Sequence, residues 1–183
     1  NFRLLLTPFK PIEPKAQFAT RYFHAFKPPA EVKETGANVV NVHHANAINP
    51  YINYPFFRPA EMKAYIDRAH ALGQRVKIYY TVRELANRAP EVFALRSLGD
   101  IFAPGPGGGY SWLQEHLGAN YIAAWFVPDL KDAAIVNSGV SRWHNFYVEG
   151  LQWLTTNVGI DGLYIDDVAF DRLTMKRVRK VLD

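Results

Sequence analysis

The stretch that most constrains this chain is Gly159-Ile160-Asp161-Gly162-Leu163-Tyr164-Ile165-Asp166-Asp167-Val168. Gly159 is placed to stop a preceding helix, and Leu163, Ile165 and Val168 belong to the apolar and β-branched repertoire of a buried parallel strand. Such a strand carries two adjacent acids to its carboxyl end, which is where α/β barrels and open α/β sheets place their chemistry. Alternation separates neighbours: if Leu163 and Ile165 face a covering helix, Tyr164 and Asp166 face the other way, into a barrel. Burying a carboxylate in an otherwise apolar strand is costly, so Asp166 is the first candidate for a catalytic group. Asp167, at the strand-to-loop junction, is the second. Two carboxyls in one cleft have their pKa values pushed apart, which suits acid and base roles. The structural alternative ties Asp166 to a neighbouring arginine and leaves Asp167 to cap a turn.

The segments before this strand repeat one theme. Residues 2–9 (FRLLLTPF) read as a strand ended by prolines, and 21–26 (RYFHAF) as a strand or an extended loop. A short helix over 28–35 stops at Gly36, and 38–44 (NVVNVHH) is the next strand. A loop of Asn, Pro and aromatics, 45–58, leads to the clearest helix. Pro59 opens it, Met62, Tyr65, Ile66, Ala69 and Leu72 recur at helical spacing, and Gly73 closes it. Residues 75–82 (RVKIYYTV) form a strand of the same kind. Less regular sequence follows: a helical 90–98, a glycine-rich turn over 104–109, and a strand 121–127 (YIAAWFV) that belongs to an excursion rather than to the main sheet. Ser141 caps a long helix with Trp143, Phe146, Tyr147, Leu151, Leu154 and Val158 on its apolar stripe. Trp153 is assigned with Trp143 to the core. Asp171 caps the last helix, in which Leu173, Met175, Val178 and Leu182 alternate with basic residues.

Strand, helix, strand with short joints is the βαβ unit, and its consequence is a parallel sheet with right-handed crossovers. The fold class is therefore α/β: a TIM-type parallel (β/α) barrel in partial form. The firm strands are 2–9, 38–44, 75–82 and 162–168, about four βα units where a complete barrel takes about 250 residues. An open sheet of four or five strands is the alternative. Residues 1–183 are taken as one domain, a fragment of such a barrel. The chain opens on Asn1 rather than Met, which suggests an excised or processed segment. The rest of the barrel is expected beyond Asp183, and exposed half-barrel edges would favour self-association.

Bulk composition narrows the function. With 49% hydrophobic and 21% charged residues the chain is globular rather than disordered. The net charge of +4 is mild, and no basic stripe precedes residue 172, so no nucleic-acid partner is expected. No apolar run approaches the ~20 residues of a membrane span, and no membrane partner is expected. Cysteine is absent, which removes disulfides and thiolate metal sites. Aromatics make up 14% of the chain, many of them in loops beside Asn and His, the setting in which sugar rings stack.

Further candidates lie at the strand ends. His43 and His44 are adjacent on a strand, so they should point to opposite faces and not share one ion; no metal and no cofactor is assigned. His43 suits substrate contact, and His44 suits packing or a bond to a backbone carbonyl. Arg83-Glu84 forms either a salt bridge or a hydroxyl-binding pair. The glycine run lacks Gly-Lys-Ser/Thr and is read as an active-site flap rather than a phosphate loop. Trp112 beside it could stack on a ligand. The candidate set for substrate binding is His43, His44, Asn49, Tyr79, Arg83, Glu84 and Trp112.

Three segments, 159–172 (GIDGLYIDDVAFDR), 41–56 (NVHHANAINPYINYPF) and 75–85 (RVKIYYTVREL), together resemble bacterial glycoside hydrolases, in particular the family-123-like relatives of β-N-acetylgalactosaminidase. The resemblance implies a (β/α)8 catalytic barrel, of which this is the N-terminal half, a carbohydrate substrate, and a periplasmic or secreted location. In that family a strand-end Asp-Glu pair is expected, with Asp orienting the substrate's acetamido group and Glu as the acid. This chain has Asp166-Asp167 there, so the acetamido-assisted mechanism and an N-acetylhexosamine substrate do not carry over with the fold. In another barrel scheme the nucleophile follows the fourth strand and the proton donor a later one, with carboxyl separations of ~5 Å for retention and ~6.5–9.5 Å for inversion. The leading expectation is hydrolysis of O-glycosidic bonds in oligo- or polysaccharides, the fragment alone being inactive if its acid lies elsewhere. Two rivals stand beside it: a metal-dependent carbohydrate deacetylase using His43 with Asp166 or Asp167, and a non-catalytic carbohydrate-binding barrel.

Overall fold

The computed structural model describes residues 13–81, 83–105, 123–137, 141–166 and 171–183. A four-stranded sheet runs in the order β1 (Tyr22–Phe23), β2 (Val39–Val42), β3 (Arg75–Tyr79), β7 (Gly162–Tyr164), and all its pairs are parallel. Val40, Val42, Val76 and Ile78 are fully buried beneath the helices, as β-branched side chains on a doubly covered sheet should be. Helix α1 (Pro14–Ala19) precedes β1, and α2 (Pro29–Glu34) lies between β1 and β2. Helix α3 (Pro59–Ala71) connects β2 to β3. Pro59 stands at its first turn, Met62, Tyr65, Ile66 and Ala69 are buried, and Gly73 leaves it at φ +71°.

One strand comes from a stretch that the sequence leaves open between strand and loop. Residues 2–9 lie outside the described residues, and the position beside β2 is filled by Tyr22–Phe23 from the stretch that could have been strand or loop. The expected strands are also shorter than read: β2 stops at Val42, β3 at Tyr79 and β7 at Tyr164.

Between β3 and β7 the chain makes the expected excursion, and it is more regular than its sequence suggests. Three strands, β4 (Glu84–Ala86), β5 (Ala123–Val127) and β6 (Asp132–Val136), form an antiparallel sheet in the order β4-β6-β5, with α4 (Val92–Ser97) after β4. Of these strands only β5 is legible from sequence. Glu84–Ala86 is too short for any periodicity, and β6 begins on an acid, Asp132, in place of an alternating pattern.

Helix α5 (Trp143–Trp153) returns to the main sheet and runs into one π-helical turn, Leu154–Val158, which Gly159 closes at φ +83°. The Ser141 hydroxyl accepts from the Trp143 amide at 3.2 Å. Tyr147 and β3's neighbour Tyr80 clamp this helix to the sheet. Their rings stack 4.2 Å apart, Tyr147 Oη donates to the Tyr80 carbonyl at 2.6 Å, and Tyr80 Oη to the Tyr147 carbonyl at 3.3 Å. Gly150 permits that approach, because a Cβ there would stand 2.7 Å from Tyr80 Oη and 2.6 Å from Phe56 Cζ. Trp143 is fully buried as expected, but Trp153 is 42% exposed and rests its ring on Phe56 rather than in the core. Helix α6 (Arg172–Leu182) is capped by Asp171, whose carboxylate accepts from the Leu173 and Thr174 amides at 2.7 and 3.0 Å. Leu173, assigned to its apolar face, is 72% exposed; Thr174 is buried instead and bonds His144.

The two sheets are joined through the loop 45–58. The Ile52 amide donates to Asp132 Oδ2 at 2.7 Å, the Ala86 amide donates to the Ile52 carbonyl at 3.1 Å, and the Asn53 side-chain amide donates to the Glu84 carbonyl. Asp132 is almost fully buried and its other oxygen has no partner. Burial lifts its carboxyl to about 6, against the opposing pull of the Ile52 amide and the Arg88 charge. The native state therefore holds this proton more tightly than the unfolded chain, so the associated stability is present below about pH 4 and lost as pH rises through about 6. Asp132→Asn, which keeps an oxygen for Ile52, should gain on the parent protein over that range, by about 3 kcal/mol at neutral pH. Urea unfolding of both proteins between pH 4 and 7 measures the difference, and a gap independent of pH would contradict this account.

Candidate active site

Parallel register lines up the carboxyl ends of the main strands. Asn41, Lys77 and Gly162 form one row, and Tyr79 pairs with Tyr164 in the next, on the face opposite Val42, Ile78 and Leu163. Gly162 leaves room for the stem of Lys77, whose Cγ would lie 3.3 Å from a Cβ there. Lys77 Nζ donates to Tyr22 Oη at 3.3 Å, lower in the same face.

Above this row sits a cluster of rings. His43 lies 4.4 Å from Tyr79 and 5.9 Å from Tyr164, and Tyr79 lies 5.6 Å from Tyr164, between ring centroids. His24, one residue past β1, meets Tyr164 edge-on at 5.0 Å and His43 at 5.7 Å. Each strand of the parallel sheet thus contributes at or just beyond its carboxyl end. Tyr164 faces inward as alternation requires. Leu163 and Ile165 turn toward Met175 and Val178 of α6, around one cavity of about 360 Å³.

His43 and His44 correct one expectation. Their rings lie 4.4 Å apart, and both approach Tyr79, His44 at 5.0 Å, rather than splitting to opposite faces. The reason is that β2 ends at Val42, so strand alternation no longer governs them, and Ala45 reverses the chain at φ +63°. Asn46 holds the turn. Its Nδ2 donates to the His43 carbonyl at 2.7 Å, and its Oδ1 accepts from the Ile48 and Asn49 amides at 3.0 Å each. Asn49 is fully buried, and its side-chain amide donates to the same carbonyl at 3.4 Å. It lies behind His43, holding the loop.

Asp166 is exposed, two residues beyond β7, and the Thr81 hydroxyl donates to its carbonyl at 2.5 Å. Its charge reaches the cluster. It opposes the lowering of His43, which burial and then His24 drive below the usual imidazole range. It also helps raise the Tyr79 phenol, after burial and Glu84 and ahead of Tyr164. Burial, then His43, bring His44 down to about 4. Both imidazoles are thus neutral at neutral pH, each with one donor and one acceptor nitrogen. Tyr79 Oη donates to Glu84 Oε2 at 3.5 Å. Arg83 is exposed, and its carbonyl accepts from the Asn137 amide at 2.5 Å.

Asp167, the glycine run over 106–109 and Trp112 lie outside the described residues. Sequence reasoning missed His24 and Asn46. His24 had a signal, since it lies within a stretch read as strand or loop, as His43 lies within a strand. Asn46 had only its place in an Asn-rich loop. Among the described residues, no group of three or more His, Cys, Asp or Glu is placed to hold a metal ion. Two neutral imidazoles, two tyrosine rings and an acidic side chain at the mouth of a parallel sheet suit a ligand with ring faces and many hydroxyls.

Residues 13–183 match the model of the glycoside hydrolase 123 TIM-barrel domain. No curated protein matches the chain. Among solved structures, the α-galactosidase of Thermus thermophilus in complex with p-nitrophenyl α-D-galactopyranoside superposes with a TM-score of 0.59 at 13% identity, over 89% of this chain and 36% of that one. An α-amylase from Lactobacillus plantarum gives 0.57 at 15% identity, over 90% and 42%. The α-amylase of Geobacillus thermoleovorans, complexed with acarbose, gives 0.54 at 15%, over 84% and 36%. Identities this low establish likeness of fold. The chain spans between 36% and 42% of the length of these three proteins. Its parallel sheet is that of a TIM-barrel domain in partial form.

The charge state of the site is directly measurable. In ¹⁵N spectra of labelled histidines, His44 should titrate with a midpoint near 4. A midpoint at the ordinary imidazole value, about 6.5, would contradict the buried placement.

Proposed function

Because the chain belongs to the glycoside hydrolase 123 TIM-barrel family, we propose that it is the catalytic domain of an enzyme hydrolysing O-glycosidic bonds of oligo- or polysaccharides. The observation that carries this reading is the cluster of His24, His43, Tyr79 and Tyr164 rings at the strand carboxyl ends, with Asp166 two residues beyond the last of those strands. In the proposed reaction the glycosidic C–O bond breaks as its oxygen takes a proton, and positive charge develops at the anomeric carbon. Asp166 is the group that answers that charge, as nucleophile or by orienting the reacting group, and water then adds its hydroxyl to the anomeric carbon and returns the proton spent on the leaving oxygen. Asp167 is assigned as the assisting acid on the sequence pattern. His43, His44 and Tyr79 are proposed to bind sugar hydroxyls, and Trp112 to stack on a sugar face. Asn49 serves the site through His43. We take residues 1–183 as one domain, whose four-stranded arc closes into a barrel with further βα units of the same protein; its lengthwise share of the solved barrels supports this.

The test uses the full-length protein against a panel of α- and β-linked 4-nitrophenyl glycosides of glucose, galactose and their N-acetylamino counterparts. One of these should be hydrolysed, and Asp166→Asn should abolish that turnover while circular dichroism stays unchanged. Near-normal kcat in a folded Asp166→Asn protein would reject the assignment.

A further inference from the structure

The described residues place a second carboxylate on the ring cluster from a different element. Glu84 opens β4 of the antiparallel sheet, where it pairs with Val136, and its carbonyl is held by the Asn53 side chain. The next two residues, Leu85 and Ala86, are fully buried, so the backbone that aims Glu84 is fixed. Its half-buried carboxylate accepts from Tyr79 Oη at 3.5 Å. Asp166 bears on the same phenol from the end of β7.

A phenol has one proton and two lone pairs. If Glu84 takes the proton, the Tyr79 oxygen presents only acceptors to the space beside Asp166. We propose that Glu84 is a positioning residue that orients the Tyr79 hydroxyl as an acceptor for a sugar O–H or N–H. The proposal rests on the glycosidase reading and names the class of sugar the site prefers. Donor-rich rings meet two acceptors, the Tyr79 oxygen and Asp166, whereas a uronate or sulfate would face the acidic group at 166. The alternative is that Glu84 merely packs at the start of β4, with its carboxylate irrelevant to Tyr79's orientation.

A double-mutant cycle in the full-length protein separates the two. The substrate is whichever 4-nitrophenyl glycoside of the panel the parent protein hydrolyses. Tyr79→Phe and Glu84→Ala should each lower kcat/KM by about 10- to 100-fold, and the double variant should be no worse than the weaker single one. Glu84→Gln keeps an oxygen acceptor and should recover to within about 5-fold of the parent. Additive losses, or a Glu84→Gln protein as impaired as Glu84→Ala, would overturn the proposal. A second readout needs no turnover. With ¹³Cζ-labelled tyrosine at neutral pH, the Tyr79 resonance should move in Glu84→Ala and the Tyr22 resonance should not. An unmoved Tyr79 resonance breaks the link whatever the enzyme does. If the parent hydrolyses nothing in the panel while Tyr79 does respond, the glycosidase reading fails and takes the positioning role with it.

Discussion

Parallel pairing of β2, β3 and β7 determines almost everything of interest in this molecule. In that register a residue and its Cα partner on the next strand point to the same side, so Tyr79 and Tyr164 share a face, with His43 just past the end of β2. The opposite face carries Val40, Val42, Val76 and Ile78, all removed from water. A slip of one residue would exchange the two sets and put the Tyr79 and Tyr164 phenols into the helix-packed core. Burial of the valine and isoleucine side chains, each worth about 1.5–3 kcal/mol, makes that exchange prohibitive. The polar cluster is thus held in place by hydrophobic residues on the other face of the sheet.

The antiparallel sheet adds a second wall. It is tied to the loop 45–58 by backbone and side-chain bonds around Ile52 and Asn53, and that loop also carries the Asn46 turn beneath His43. One of those ties is expensive. Asp132 is buried with an oxygen unpaired, the kind of cost that folded proteins keep where geometry matters more than stability. Its bond to the Ile52 amide positions the loop against the sheet that presents Glu84.

Much of this is legible in the sequence. Helices α3 and α5 announced themselves through long periodic stripes and glycine stops, and Asp171 through its place before an amphipathic run. The inward orientation of Tyr164 followed from alternation alone. What escaped the sequence was local or non-periodic. Three residues of β4 contain no pattern to detect, and a two-residue strand at Tyr22 is set by its neighbour β2 rather than by its own composition. His43 and His44 come together because the strand stops early, an end point no periodicity marks. Trp153 was drawn to the core by its hydrophobicity, yet it lies on the outer side of α5, resting on Phe56.

The central claim is that sugar binds at the carboxyl ends of the parallel strands, against His24, His43 and His44. Histidine-selective ¹⁵N spectra recorded during titration with galactose, glucose and N-acetylgalactosamine address it directly, because the chain carries internal controls. His70 bonds Asp161 at 2.7 Å at the opposite end of the sheet, and His144 is engaged with Thr174 of α6. The account predicts saturable shifts at His24, His43 and His44 for at least one sugar, with His70 and His144 still. No shift with any sugar, or shifts confined to His70 or His144, would contradict it.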